Sequence, residues 1–235
     1  MRSLLIAPGD DPGRIAAALE SDADAVAIDL DVAQAARAGA REAAARALKG
    51  ERQGRRQALL VRLSALDDGE NEIDLDALVG LAPAAVLLPK AVGGASVQRL
   101  SARLAVREAD NALEHGSTRI IAMVDSAAAL MTLASLSGSS ARLVGLAWDA
   151  AALRADIGAE PHAEARAGPG RLAADLTLVA AASAGVAAID AGFRGADPEA
   201  LRAETLQARR DGFAAKIALD PDQARIINRV FAKES

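Results

Sequence analysis

Eight short apolar runs, each followed by a longer stretch with helical periodicity, set the strongest limit on how this chain can fold. They are Ser3–Ala7, Ala25–Leu30, Ala58–Leu63, Ala84–Pro89, Arg119–Val124, Arg142–Trp148, Val186–Ile189 and Ala215–Leu219. Uninterrupted apolar runs suit parallel strands covered on both faces, whereas a half-exposed strand would alternate apolar with polar. The intervening segments, such as Ala33–Lys49, Ser96–His115 and Ala173–Ala184, carry the helical period. Asp11-Pro12, Asp197-Pro198 and Asp220-Pro221 each place a capping carboxylate before a first-turn proline, and Gly212 suits a helix C-terminus. Eight βα units close most economically as a (β/α)8 TIM barrel, with a doubly wound open sheet as the alternative. No linker divides residues 1–235, so a single domain is expected, with a lid or surface loop at 158–171.

Composition narrows the class further. The chain is 51% hydrophobic with three Phe, one Trp and no Tyr, so Val, Leu, Ile and Ala must fill the core. Net charge is −5, and no basic run is interleaved with aromatics, which argues against nucleic acid as a partner. The run Arg52–Arg56 reads as a solvated loop. There is no cysteine, hence no disulfide or thiolate chemistry, which fits a cytoplasmic protein. The N-terminal apolar run is too short for a signal peptide, and no stretch is long and apolar enough to span a membrane.

In a barrel of this kind, residues just past the strand C-termini converge on one face. Those positions hold Asp10, Asp29, Asp31, Arg62, Lys90, Asp125, Asp149, Asp190, and Asp220 preceded by Lys216. Carboxylates with Arg and Lys in one ring can hold a metal and clamp an anion. Each also has a plainer role. Asp11, Asp197 and Asp220 suit helix caps; Arg62 suits a salt bridge to Asp29 or Asp31; Lys90 suits a solvent-reaching side chain. Asp125 before Ser126 suits a cap as well. Gly93-Gly94 offers a weak phosphate signal, Trp148 suits the core better than a ligand platform, and His115 and His162 read as exposed.

The order of the segments resembles the HpcH/HpaI aldolase/citrate lyase β-subunit-like family. Arg2-Ser3-Leu4-Leu5 leading to Pro8-Gly9-Asp10, then Asp29-Leu30-Asp31, Val61 to Asp67, Leu87-Leu88-Pro89-Lys90, and Gly212-Phe213 through Pro221 and Gln223 carry the resemblance. It implies a TIM barrel, often trimeric or hexameric, that cleaves or forms a carbon–carbon bond in 3-hydroxy acids or their CoA thioesters. It implies Mg²⁺ as cofactor and a small carboxylic acid or acyl-CoA as substrate. Arg62 would grip an acidic group and Asp125 would bind the metal, with Lys90 beside them and Asp29 and Asp31 at the substrate.

This chain also departs from the family pattern. Asp11 replaces an Arg, Asp31-Val32 replaces Glu-Asp, Asp125 replaces a Glu, and Asp220 replaces a His. In register, Ala152 takes the place of the second metal carboxylate, which leaves Asp149 as the candidate to supply that oxygen. The chain also runs out soon after the last helical segment, where relatives often carry an extension that closes the site. Three readings follow: a divergent metal-assisted lyase; a catalytically inactive homologue serving in binding or assembly; and a metal-independent barrel using Lys90 or Lys216 in Schiff-base chemistry.

Overall fold

The computed structural model describes residues 1–50, 56–162 and 164–232. Residues 52–55 of the basic run fall outside them; Arg56 is exposed. Eight parallel strands pair in chain order and close: β1 Ser3–Pro8, β2 Ala25–Asp29, β3 Ala58–Arg62, β4 Ala85–Leu88, β5 Arg119–Val124, β6 Leu143–Trp148, β7 Ala187–Asp190 and β8 Ala215–Ala218. Closure is made by β1 against β8, with Leu4 opposite Ile217. The open-sheet alternative is thereby excluded.

Nine α-helices of the described residues surround the strands: α1 Pro12–Leu19, α2 Arg37–Lys49, α3 Glu70–Leu78, α4 Gly93–Asp110, α5 Ala127–Met131, α6 Ala150–Asp156, α7 Pro169–Ala184, α8 Pro198–Asp211 and α9 Pro221–Phe231. The capping signals act as their chemistry requires. Asp11, Asp197 and Asp220 accept hydrogen bonds from the backbone N–H groups of Arg14, Glu199 and Gln223. Gly212 closes α8 at φ 110°, a left-handed conformation that side chains resist. α7 begins at Pro169, so the last residues of the expected 158–171 loop are helical.

The alternation of side chains along each strand divides the core in two. Leu4, Ala25, Ala27, Leu60, Ala85, Leu87, Ile121, Met123, Ala147, Ile189, Ala215 and Ile217 fill the barrel interior. A larger cluster, including Leu5, Val26, Ile28, Val61, Val86, Leu146 and Trp148, packs between the sheet and the helices. Small residues alternate with Leu, Ile and Met inside, so the interior is filled without aromatics. This division decides which polar strand ends share a space, because a shift of one residue sends a side chain to the other face.

Candidate functional site

Asp29, Arg62, Asp125 and Asp149 continue the interior phase of their strands, two residues beyond Ala27, Leu60, Met123 and Ala147. They meet at the C-terminal mouth of the barrel. Asp190 and Lys216 are each one residue out of that phase, beside interior Ile189 and Ala215. They lie on the outer face of the sheet. The polar ring expected from the sequence is therefore two separate sets.

Arg62 anchors the inner set. Its Nη1 donates to Asp29 Oδ2 at 2.8 Å, and Nη2 stands 3.5 Å from Asp31 Oδ2. Arg62 Nε is buried and has no hydrogen-bond partner. The salt bridge to Asp29 is thus formed, and Nε is left closed to solvent and unpaired. Asp29 Oδ1 also accepts from the backbone of Asp31 at 2.9 Å. Burial raises the Asp29 carboxyl, opposed by Arg62 and that N–H; Asp29, Asp31 and Asp149 together hold Arg62 cationic against its own burial.

Asp125 is buried, 4% exposed, and does not cap the following helix; Ser126 does, accepting from the N–H of Ala129. The backbone N–H of Lys90 donates instead to both Asp125 oxygens, at 2.9 and 3.1 Å. Lys90 adopts φ 48°, a conformation costly for a residue with a side chain, and its side chain is exposed. The strained turn after β4 aims an amide, not the ammonium, at the mouth. Burial pushes the Asp125 carboxyl up to about 6; Asp149 repulsion adds to this, and the Lys90 N–H and Arg62 oppose it.

Asp149 caps α6, its Oδ1 accepting from Ala151 N at 2.9 Å and Ala152 N at 3.1 Å. The Asp149 charge acts on both Asp125 and Arg62, so the four groups form one electrostatic unit. Among the described residues, no three acidic or histidine side chains converge as a prebuilt metal cage. The inner set does suit a cation completed by its substrate. Mg²⁺ is commonly held by one or two carboxylates, with waters and substrate oxygens filling the rest. Asp125 and Asp149 repel each other at a buried mouth, and only Oδ1 of Asp149 is used in the cap.

A buried carboxylate held away from its ordinary pKa costs folding energy that a neutral isostere should return. The raised pKa means the fold favours protonated Asp125. Its contribution is favourable below the ordinary carboxylate pKa and lost as pH rises through about 6. Asp125→Asn keeps an acceptor for Lys90 without the charge. We expect metal-free Asp125→Asn to melt above wild type at about pH 8, with the gap closing by about pH 4. Thermal melts across pH check this.

The outer set is a closed network. Lys216, fully buried, donates to Asp190 Oδ2 at 2.8 Å, Glu204 Oε1 at 2.7 Å and the Ala191 carbonyl at 2.6 Å. Trp148 Nε1 donates to Asp190 Oδ1 at 2.9 Å, and Arg166 Nη2 reaches the same oxygen at 3.2 Å. Trp148 is fully buried and so belongs to the core, as the plainer reading held. Lys216 is removed from the Schiff-base reading, because its ammonium is ion-paired behind the sheet and Asp190 is held ionised by it.

Two further expectations are corrected or limited. The Gly93-Gly94 turn is filled by protein: a Cβ at Gly94 would lie 2.2 Å from the Ser135 carbonyl oxygen, and the Gly94 N–H already donates to Ser135 Oγ. No room is left for a phosphate. Asp10 is exposed and Asp220 is spent as a cap, so neither joins the mouth. His115 and His162 are exposed, as expected. The residues that sequence reasoning missed are the Lys90 amide, which has no side-chain signature, and Glu204 and Arg166, which reach the outer network from α8 and the loop before α7.

Comparison with known proteins places the family and the fold. The family model of HpcH/HpaI aldolase/citrate lyase matches residues 2–221. The citrate lyase subunit beta of Leuconostoc mesenteroides subsp. cremoris is 27% identical over 98% of this chain and 76% of its own. A (3S)-malyl-CoA thioesterase of Cereibacter sphaeroides is 28% identical over 98% of this chain and 77% of its own. The crystal structure of CitE from Mycobacterium tuberculosis in complex with magnesium and acetoacetate superposes with a TM-score of 0.82 at 28% identity, covering 99% of this chain and 91% of that one. With a closed eight-stranded barrel and a family match spanning nearly its whole length, the chain belongs to the HpcH/HpaI aldolase/citrate lyase family.

Proposed function

We propose that this chain is a carbon–carbon lyase of 3-hydroxy acids, free or as CoA thioesters, assisted by Mg²⁺ held at Asp125 and Asp149. The observation that carries it is the meeting of Arg62, with an unused buried Nε, and the Asp125–Asp149 pair at one interior mouth. Relatives named for citrate and malyl-CoA chemistry, and a solved relative holding magnesium with acetoacetate, support the substrate class.

Each residue then has a definite task. Arg62 supplies the positive charge that attracts a carboxylate of the substrate, while Asp29 and Asp31 fix the guanidinium plane. The Lys90 amide orients Asp125, and the α6 N-terminus orients Asp149. When bound, the cation would supply a Lewis acid for charge developing on oxygen as the carbon–carbon bond breaks. Asp125 is ionised and ready to bind it above about pH 6. Self-association into a homo-oligomer belongs to the same proposal; exposed Leu172, Leu176 and Val179 on α7 offer an apolar face for it.

The second reading, an inactive homologue retained for binding or assembly, is favoured by one feature. Ala152 stands in the first turn of α6 where the family pattern places a carboxylate, and no three-donor group forms among the described residues. Turnover separates the two. Purified protein assayed with malyl-CoA-type and citrate-type substrates should release an oxo acid only when Mg²⁺ is present. No release under any metal condition would favour the inactive homologue.

A further inference from the structure

Beside the mouth lies a cavity of about 140 Å³ that none of the chemistry above uses. Ala150, Ala151 and Ala155 of α6 form one wall, Ala159 and Ala165 of the following loop another, and Gly192 after β7 closes the end. The slot shares two elements with the mouth. Ala150 directly follows Asp149, and Gly192 sits on interior side chains: a Cβ there would lie 3.0 Å from Leu219 Cδ2 and 3.4 Å from Ile217 Cγ2. Any side chain at 192 would crowd these contacts.

The walls are mainly alanine methyl groups, the Gly192 α-carbon and Pro161, with Arg154, Arg194 and His162 completing the lining. Arg154, which also lines the slot, is committed elsewhere: its Nη2 donates to the carbonyls of Glu164, Ala165 and Ala167 at 3.1, 3.3 and 2.6 Å. That triple contact ties Glu164, Ala165 and Ala167 to α6. Arg194 and His162 are exposed. An apolar cavity of about 150 Å³ is known to take a six-carbon ring, so this one has room for a short aliphatic group and none for a nucleotide.

We propose that the alanine slot seats an alkyl branch of the substrate, so that the preferred 3-hydroxy acid yields an oxo acid carrying a chain longer than methyl. The inference rests on the lyase reading and adds its specificity. An apolar slot of this size should gain about fourfold in affinity per methylene until it is full.

The test is calorimetric titration of the Mg²⁺-loaded protein with glyoxylate, pyruvate, 2-oxobutyrate, 2-oxopentanoate and 2-oxohexanoate. Affinity should rise stepwise along the series, and Ala151→Leu and Ala155→Leu, each checked for folding by thermal melting, should flatten the rise. Equal affinity for all five acids overturns the slot and leaves the lyase reading standing. A rise that both folded variants retain overturns the slot as well. Failure of every acid to bind, glyoxylate included, overturns the lyase reading and the slot with it.

Discussion

Arg62→Ala should lower kcat/KM for oxo-acid release by about 100- to 1,000-fold, the loss typical when one preorganised donor to a developing or fixed negative charge is removed. The size follows from where Arg62 sits. Its guanidinium is buried, already oriented by Asp29 and Asp31, and keeps Nε unpaired. It therefore holds a fixed positive charge in a poorly hydrated mouth. Arg62→Lys should recover little, because a point charge cannot both satisfy Asp29 and donate from a planar fork. If kcat/KM changes by less than about threefold while the variant remains folded, Arg62 makes no contact with the reacting substrate.

Lys216→Met carries the largest expected effect on stability, a loss of about 3–5 kcal/mol. Lys216 is fully buried between Asp190 and Glu204, and its removal leaves those carboxylates facing each other with only Arg166 and Trp148 to help. Proteins have a total stability of about 5–15 kcal/mol, so the variant should unfold at much lower urea. Denaturant titration checks this. The two polar sets separate here: below its melting point, Lys216→Met should still bind Mg²⁺ with oxo acid, whereas Asp125→Asn should stay folded, melt no lower than wild type and bind neither.

Much of the barrel was legible because its signals are local. Apolar runs, Asp-Pro caps and Gly212 all act within a few residues, and the structure has each where the sequence put it. The mouth was legible only in part. Asp29, Arg62, Asp125 and Asp149 were found by their place at strand ends, but so were Asp190 and Lys216, which face away. In a strand buried on both sides the apolar residues do not alternate, so the sequence hides which face each residue takes. Ala187-Ala188-Ile189-Asp190 reads the same in either phase; only pairing of Gly145 with Ala187 and Asp190 with Lys216 fixes it. The Lys90 amide was illegible for another reason: it is a backbone group, presented by an unusual φ that no residue type announces. The Gly93-Gly94 pair looked like an anion loop, yet its glycines serve close approach to Ser135.

These observations give the mouth a consistent economy. Asp125 is held at a cost to folding, and Lys90 in a strained turn, so that one carboxylate and one amide face Arg62 and Asp149. Strain and buried like charges of this kind concentrate at functional sites.

In the proposed reading, Asp125 and Asp149 form one cation site completed by an oxo acid beside Arg62. Calorimetric titration of Mg²⁺ into the protein, with and without oxaloacetate, tests it most directly. Binding should be weak with Mg²⁺ alone, markedly tighter with oxaloacetate, and lost in both cases in Asp125→Asn and Asp149→Asn. Absence of Mg²⁺ binding at millimolar metal with oxaloacetate present, or binding that survives Asp125→Asn unchanged, would contradict it.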